Sequence, residues 1–463
     1  MECDLGLFGI GVMGQNLALN FQRNGYSISV YNRTTEKTKK FVSQHPEITG
    51  TYTLQQFIDS LRRPKQILLM VTAGTAVDAT LRDLDKSLAK GDLIIDGGNS
   101  FFRDTDRRFT QFSQKGIHYL GIGISGGEEG ALKGPCMMAG GSRTGYDQIV
   151  SILTDAAAKA EGPCCQFLGP RGAGHYVKMV HNGIEYAVIQ IIAEAYDLLS
   201  RCARLNANQI RDIFAEWNSA ELNSFLMEIA TKVLEKVDPE TRTPIVSLIL
   251  DSAKQKGTGK WTSQNSMDLG IPTPTIDAAV AARNISALKA ERAAAARLYS
   301  STPLKIGSSF VEQLRDAVQA SIIVSYAQGF HLMQVASTEY EYSLPMIEIA
   351  RIWKGGCIIR AKLLDSIKQS FMNDENVRNL IVAPQIVKVL SELDQNWRAV
   401  VKFAKGQAIP IPAISASLDY LDGYKSERLP ANFVQALRDY FGAHGYERID
   451  RSGVFHTDWK LDH

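Results

Sequence analysis

Residues 174–200, GHYVKMVHNGIEYAVIQIIAEAYDLLS, stand where one kind of sequence gives way to another. Val177, Val180, Ile184, Val188, Ile191 and Ala195 recur at helical spacing, so the stretch reads as one long helix. Lys178, His181, Asn182, Glu185 and Tyr186 fall at i, i+3, i+4, i+7 and i+8, which sets five chemically capable side chains on one stripe. On most helices such a stripe is a solvated face. The sequence on either side argues for a site instead.

N-terminal to this stretch the pattern is that of an α/β domain. An apolar strand over 4–10 runs into Gly9-Ile10-Gly11-Val12-Met13-Gly14, and a helical pattern follows over 13–24. GxGxxG between a strand and a helix is the fingerprint of a dinucleotide-binding, Rossmann-like sheet. The first glycine serves the tight turn, the second admits a pyrophosphate to the backbone, and the third lets helix pack on strand. The helix N-terminus then faces the phosphates. A second strand, 26–31, ends in Asn32-Arg33-Thr34, where an NAD site usually carries an acid. Arginine cannot accept from a ribose hydroxyl but can pair with a 2′-phosphate, so NADP is expected over NAD.

Further apolar strands over 66–71, 93–95 and 118–122 keep the βαβ spacing. Two glycine-bearing loops, DGGNS at 96–100 and SGGEEG at 125–130, follow strands and place Asn99, Ser125, Gly126 and Gly127 where open sheets bind ligands. Edge strands are expected over 134–141 and 166–168, and residues 169–174, GPRGAG, form a hinge. From there to about 411 the periodicity is almost wholly helical. An echo between AEAYDLL at 193–199 and AQGFHLM at 327–333, with Trp217 and Trp353 at similar offsets, suggests a duplicated unit whose second copy lacks the polar stripe. Residues 254–261, KQKGTGKW, form a basic loop without P-loop spacing, suited to a phosphate or simply solvated. Residues 437–444 show no clear periodicity, and the polar, aromatic tail 451–463 is expected to dock rather than fold alone.

With 463 residues, 45% of them hydrophobic, the chain supports two or three domains and a large core. A net charge of +2 argues against a nucleic-acid or membrane-surface protein. Nothing in the sequence approaches a transmembrane run. The N-terminus carries no leader pattern, and the six cysteines show no metal spacing, so a reduced, cytoplasmic enzyme with no metal is expected.

Together GIGVMGQN at 9–16, NRT at 32–34, DGGNS at 96–100, GISGGEEGA at 123–131, GHYVKMVHNGIEY at 174–186, KGTGKWT at 256–262, IWKGGCIIR at 352–360 and RDYFGAH at 438–444 resemble the decarboxylating 6-phosphogluconate dehydrogenases over essentially the whole length. The resemblance implies a Rossmann-like NADP-binding domain (1–173), a large all-α substrate and dimerisation domain (174–430) and a C-terminal tail (431–463) that completes the neighbour's site in a homodimer. It implies Lys178 as general base and Glu185 as general acid. It implies cofactor contacts from the glycine turn, Asn32, Arg33, Thr34, Val71, Thr72, Ala73 and Asn99. Substrate contacts would come from Asn99, Ser125, Gly126, Gly127, His181, Asn182, Tyr186, Lys256 and Arg283, with Arg438 and His444 from the partner. The implied reaction belongs to the pentose phosphate pathway. Lys178 takes the 3-hydroxyl proton as hydride leaves C3, the resulting β-keto acid loses CO₂, and Glu185 protonates the carbon that becomes C1 of the product. Thr72 departs from the lysine often found at that position, which would weaken the preference for a 2′-phosphate. Extra C-terminal residues that touch cofactor in longer relatives are absent. Two rivals are a dehydrogenase that does not decarboxylate and a dinucleotide-binding protein on a dead enzyme scaffold. The intact Lys178–Glu185 pair speaks against the second.

Overall fold

The computed structural model describes residues 2–254, 257–299 and 309–459. Eight strands make one sheet: β1 Leu5–Phe8, β2 Ile28–Tyr31, β3 Thr49–Thr51, β4 Gln66–Leu69, β5 Leu93–Asp96, β6 His118–Ser125, β7 Cys136–Gly141 and β8 Cys165–Gly169. Their order is β3-β2-β1-β4-β5-β6-β7-β8. β1 to β6 are parallel, β7 runs antiparallel to β6, and β8 is parallel to β7. β1 pairs with β2 on one side and β4 on the other, so the order in which strands are added reverses beside it. The crevice at the carboxyl ends of the strands opens there.

Short apolar strands with both faces covered explain the sheet. Leu5, Leu7, Leu68, Leu93 and Ile95 face one layer with Leu17 and Phe21 of the helix Val12–Arg23. Phe8, Ile67, Leu69 and Ile94 face the other with Phe57, Val77 and Leu81. The alternation is that of the pleat. The expected strands all form. Residues 136–141 are an interior strand rather than an edge, because β8 covers their outer side. β3 is an addition at the opposite edge.

The predicted helix extends over Ala173–Arg201. Its first turns lie directly on the backbone of β6 and β7. A Cβ on Gly174 would stand 2.4 Å from the Gly121 carbonyl oxygen and 2.3 Å from that of Met138, and one on Gly123 would stand 2.3 Å from the Cβ of Lys178. Only glycines allow that approach, and it brings Lys178 over the end of β6. A second long helix, Phe310–Glu339, packs on the first, and the internal echo falls on these two. Further along the first helix, Glu194 accepts the backbone N–H groups of Ala413 and Ile414 at 2.9 Å each, which anchors the start of the helix Pro412–Lys425.

By its internal contacts the chain divides into a unit ending at Ser417 and a second beginning at Leu418. The second contains the helix Ala431–Gly442 and a small antiparallel pair, β9 Tyr446–Glu447 and β10 Val454–Phe455. The segment 437–444, which shows no clear periodicity in sequence, thus lies mostly in a helix. The tail also folds on its own helix. Buried Asp439 accepts from the backbone N–H groups of Gly445 and Thr457 and from Nε1 of Trp459, and pairs with Nδ1 of His456. These contacts hold its carboxyl below the ordinary aspartate value against the opposing effect of desolvation.

Candidate active site

The glycine turn has the shape its spacing requires. Gly9 has φ +101°, and a Cβ there would meet the Met70 carbonyl oxygen at 2.6 Å. A Cβ on Gly14 would stand 2.1 Å from the Gly9 carbonyl oxygen, so the third glycine seats the helix on the strand. Nothing lies within 4 Å of a Cβ on Gly11, which leaves the helix N-terminus open to an anion. Asn32 Oδ1 accepts the Ile10 N–H at 3.3 Å and ties the end of β2 to this turn. Gly14→Ala should therefore weaken NADPH binding at least about tenfold, through displacement of the turn. Fluorescence titration with NADPH checks this, and an unchanged Kd contradicts it.

A cleft of about 1130 Å³ runs from this turn to the long helix. Gly11, Val12, Met13 and Gly14 line one end, with Val71, Thr72, Ala73 and Asn99 beside them. Ser125, Gly126, Gly127, Lys178, Asn182, Glu185, Tyr186 and Arg283 line the rest. Four of the five residues of the polar stripe are buried, and Glu185 keeps 23% of its side chain exposed. Lys178, His181, Asn182 and Tyr186 keep 6%, 0%, 7% and 6% of their surface.

Buried polar groups require partners, and the stripe supplies them. His181 Nδ1 stands 3.0 Å from Asn182 Oδ1, 3.3 Å from Lys178 Nζ and 3.8 Å from Glu185 Oε2. Its Nε2 stands 3.0 Å from both Ser125 Oγ and Cys357 Sγ. Ser125 Oγ also accepts the Ile358 N–H at 3.2 Å, which joins that segment to the same network. Burial pulls the Lys178 ammonium below the ordinary lysine value, against a smaller opposing pull from Glu185.

Cys357 and Ile358 lie in the quoted IWKGGCIIR motif but were not expected in the site. The signal for them was the Gly355-Gly356 pair just before, which brings that segment's backbone against the Ser125–Gly126 loop. A Cβ on Gly126 would stand 2.7 Å from the Gly356 carbonyl oxygen. Phe101 and Trp261 also line the cleft without having been foreseen, with ring centroids 5.1 Å apart.

The KGTGKW segment leads into the helix Thr258–Asp268, where Gly259 packs on the Tyr186 ring and Thr262 donates to the Met179 carbonyl at 2.8 Å. Lys254 and Thr258 line the cleft, and Lys256 lies outside the described residues. The Arg283 guanidinium sits 3.3 Å from the centre of the Tyr186 ring. Arg33 and Thr34 are exposed at the end of β2. Arg438 and His444 belong to the second unit, where Arg438 donates to Gln435 Oε1 at 2.9 Å and His444 packs on Phe441. Among the described residues no three His, Cys, Asp or Glu side chains gather as a metal site, and no helix is long and apolar enough to cross a membrane.

A doubly wound dinucleotide sheet, joined to a helical domain whose first helix buries a lysine in the shared cleft, defines a two-domain dehydrogenase architecture. Family comparison narrows it. Residues 4–169 match the NAD binding domain of 6-phosphogluconate dehydrogenase, and residues 174–459 match the C-terminal domain of 6-phosphogluconate dehydrogenase. The chain is 51% identical to a decarboxylating 6-phosphogluconate dehydrogenase of Synechococcus elongatus, over 98% of each chain. It is 47% identical to the NADP(+)-dependent, decarboxylating enzyme of Bacillus subtilis, again over 98% of each. The Plasmodium falciparum 6-phosphogluconate dehydrogenase, solved in apo form and in complex with its cofactor NADP+ and its substrate 6-phosphogluconate, superposes with a TM-score of 0.95. It shares 41% identity and is covered in full by 99% of this chain. The chain belongs to the 6-phosphogluconate dehydrogenase family.

Proposed function

We propose that this chain catalyses the NADP-dependent oxidative decarboxylation of 6-phosphogluconate to ribulose 5-phosphate, CO₂ and NADPH, as in the pentose phosphate pathway. The observation that carries the proposal is Lys178, buried in the cleft between the glycine turn and Glu185, with its pKa lowered by that burial. A neutral amine is what a general base needs.

The residues present fit the cofactor. The open space at Gly11 and the helix N-terminus suit a pyrophosphate, with Asn32, Arg33 and Thr34 at the ribose end and Val71, Thr72, Ala73 and Asn99 along the cleft. Bound NADP supplies the hydride acceptor. Lys178 takes the proton of the substrate's 3-hydroxyl and, once protonated, donates to the C3 oxygen while the β-keto acid loses CO₂. Glu185, two helical turns and about 10 Å along the axis, delivers a proton to the substrate's C2, which becomes C1 of ribulose 5-phosphate. Ser125, His181 and Asn182 form a preorganised polar wall that fixes the sugar acid beside Lys178, with Asn99, Gly126 and Gly127 at the adjoining loops. Tyr186, Lys256 and Arg283 take the phosphate side, joined by Arg438 and His444 of the neighbouring subunit in a homodimer. The domain division 1–173, 174–430 and 431–463 and a cytoplasmic location belong to the same proposal.

The test is a coupled assay of the purified chain with 6-phosphogluconate and NADP, then NAD. Reduced cofactor and CO₂ should appear in equal amounts, with NADP preferred. Reduced cofactor without CO₂ contradicts decarboxylation, and NADPH binding without turnover contradicts catalysis.

A further inference from the structure

Arg33 is not an idle cation. Its guanidinium holds Asp83 Oδ2 at 3.3 Å, and both side chains are 54% exposed. Asp83 lies in the last turn of the helix Thr75–Asp85, the helix that starts from the cleft loop 71–74. We propose that Asp83 sets the cofactor selectivity of this enzyme by competing with the NADP 2′-phosphate for Arg33. The inference rests on the NADP reading of Arg33 given above.

Three features support it. The backbone of Arg33 is fixed, because Asn32 Oδ1 accepts the Ile10 N–H and Asn32 Nδ2 donates to the Thr34 carbonyl at 3.2 Å. The long side chain alone must therefore serve both anions. Position 72, on the cleft, carries threonine and brings no second cation. A carboxylate at the C-terminal end of a helix is disfavoured by the helix dipole, so Asp83 contributes little to folding there except through Arg33. Its acidic neighbours are committed elsewhere: Asp85 to Lys115 at 2.5 Å, and Asp78 to Arg107 and Arg108. When a 2′-phosphate arrives, the Arg33–Asp83 pair must open or be shared, and the carboxylate that remains repels the incoming dianion. NAD carries no 2′-phosphate and is indifferent to both effects. Exposed pairs of this kind are weak, so the penalty is modest and falls as salt rises.

The experiment compares kcat/KM for NADP and for NAD, at saturating 6-phosphogluconate, in wild type, Asp83→Asn and Arg33→Ala. Asp83→Asn should raise the NADP-to-NAD ratio by about three- to tenfold through a lower KM for NADP, with the NAD value unchanged and the gain shrinking in high salt. A ratio that is unchanged or lower in Asp83→Asn, while Arg33→Ala collapses it, overturns the role of Asp83 and leaves the cofactor reading standing. A ratio untouched by Arg33→Ala overturns the reading of Arg33 itself, and the inference with it.

Discussion

Replacing Lys178 with methionine should lower turnover of 6-phosphogluconate by roughly 10³- to 10⁴-fold, the range a positioned acid–base group supplies, while NADPH binding stays within about threefold of wild type. Lys178 sits with its Cβ against the backbone of Gly123, where an unbranched side chain of similar length fits and a branched one does not. Methionine keeps that packing and removes the only atom able to carry the proton, so a fall in rate with cofactor binding intact isolates the chemistry from the fold. The wild-type pH profile tests the same residue independently. A base works when unprotonated, and burial lowers the pKa of Lys178 from its ordinary 10.5. The rising limb of kcat/KM should therefore lie below that of an ordinary lysine and be absent from what little activity the variant retains. A methionine variant within tenfold of wild type, or a limb that follows an ordinary lysine, removes Lys178 from the mechanism.

The sequence disclosed the parts of this site that depend on local spacing. GxGxxG after a strand located the turn, and its three glycines have three different neighbours, as their positions imply. The i, i+3, i+4, i+7, i+8 pattern put Lys178, His181, Asn182, Glu185 and Tyr186 together. It could not say whether that stripe faced water, because the answer lies in what covers it. Gly123 is about fifty positions upstream, and Cys357 meets His181 across 176 residues. Contacts of that separation leave no periodicity behind. β3 went unread because three residues, Thr49–Thr51, pair along one side only and just one of them is buried. The helix Ala431–Gly442 was missed for a different reason. Phe433, Val434, Leu437, Tyr440 and Phe441 recur at helical offsets, yet all are exposed, and the segment 437–444 is too short a window to show them.

Arg108→Met should destabilise the chain by about 3–5 kcal/mol, the cost of stripping the partner from a buried charge. Arg108 is fully buried. Its Nε donates to Asp78 at 2.9 Å and one terminal nitrogen to the Gly74 carbonyl at 3.0 Å. The other terminal nitrogen reaches Ser100 Oγ at 3.3 Å and Asp96 at 3.4 Å. Asp96 is equally buried at the end of β5, and it keeps hydrogen bonds from the Gly98 N–H and the Ser100 and Tyr119 hydroxyls but pairs with no other cation among the described residues. Methionine fills much of the space and leaves that carboxylate uncompensated. If charge is the cause, Arg108→Met combined with Asp96→Asn should recover part of the loss, and Arg108→Lys should fall between wild type and Arg108→Met, since it keeps the charge without the planar fork. The same side chain ties together loop 71–74 and the DGGNS loop, which together line the cofactor end of the cleft, so the KM for NADP should rise along with the loss of stability. Urea midpoints followed by fluorescence measure the first effect and initial rates the second. A midpoint shift worth under about 1 kcal/mol would mean that water or a rearranged neighbour takes over the charge of Asp96, and that Arg108 does not hold the two loops in place.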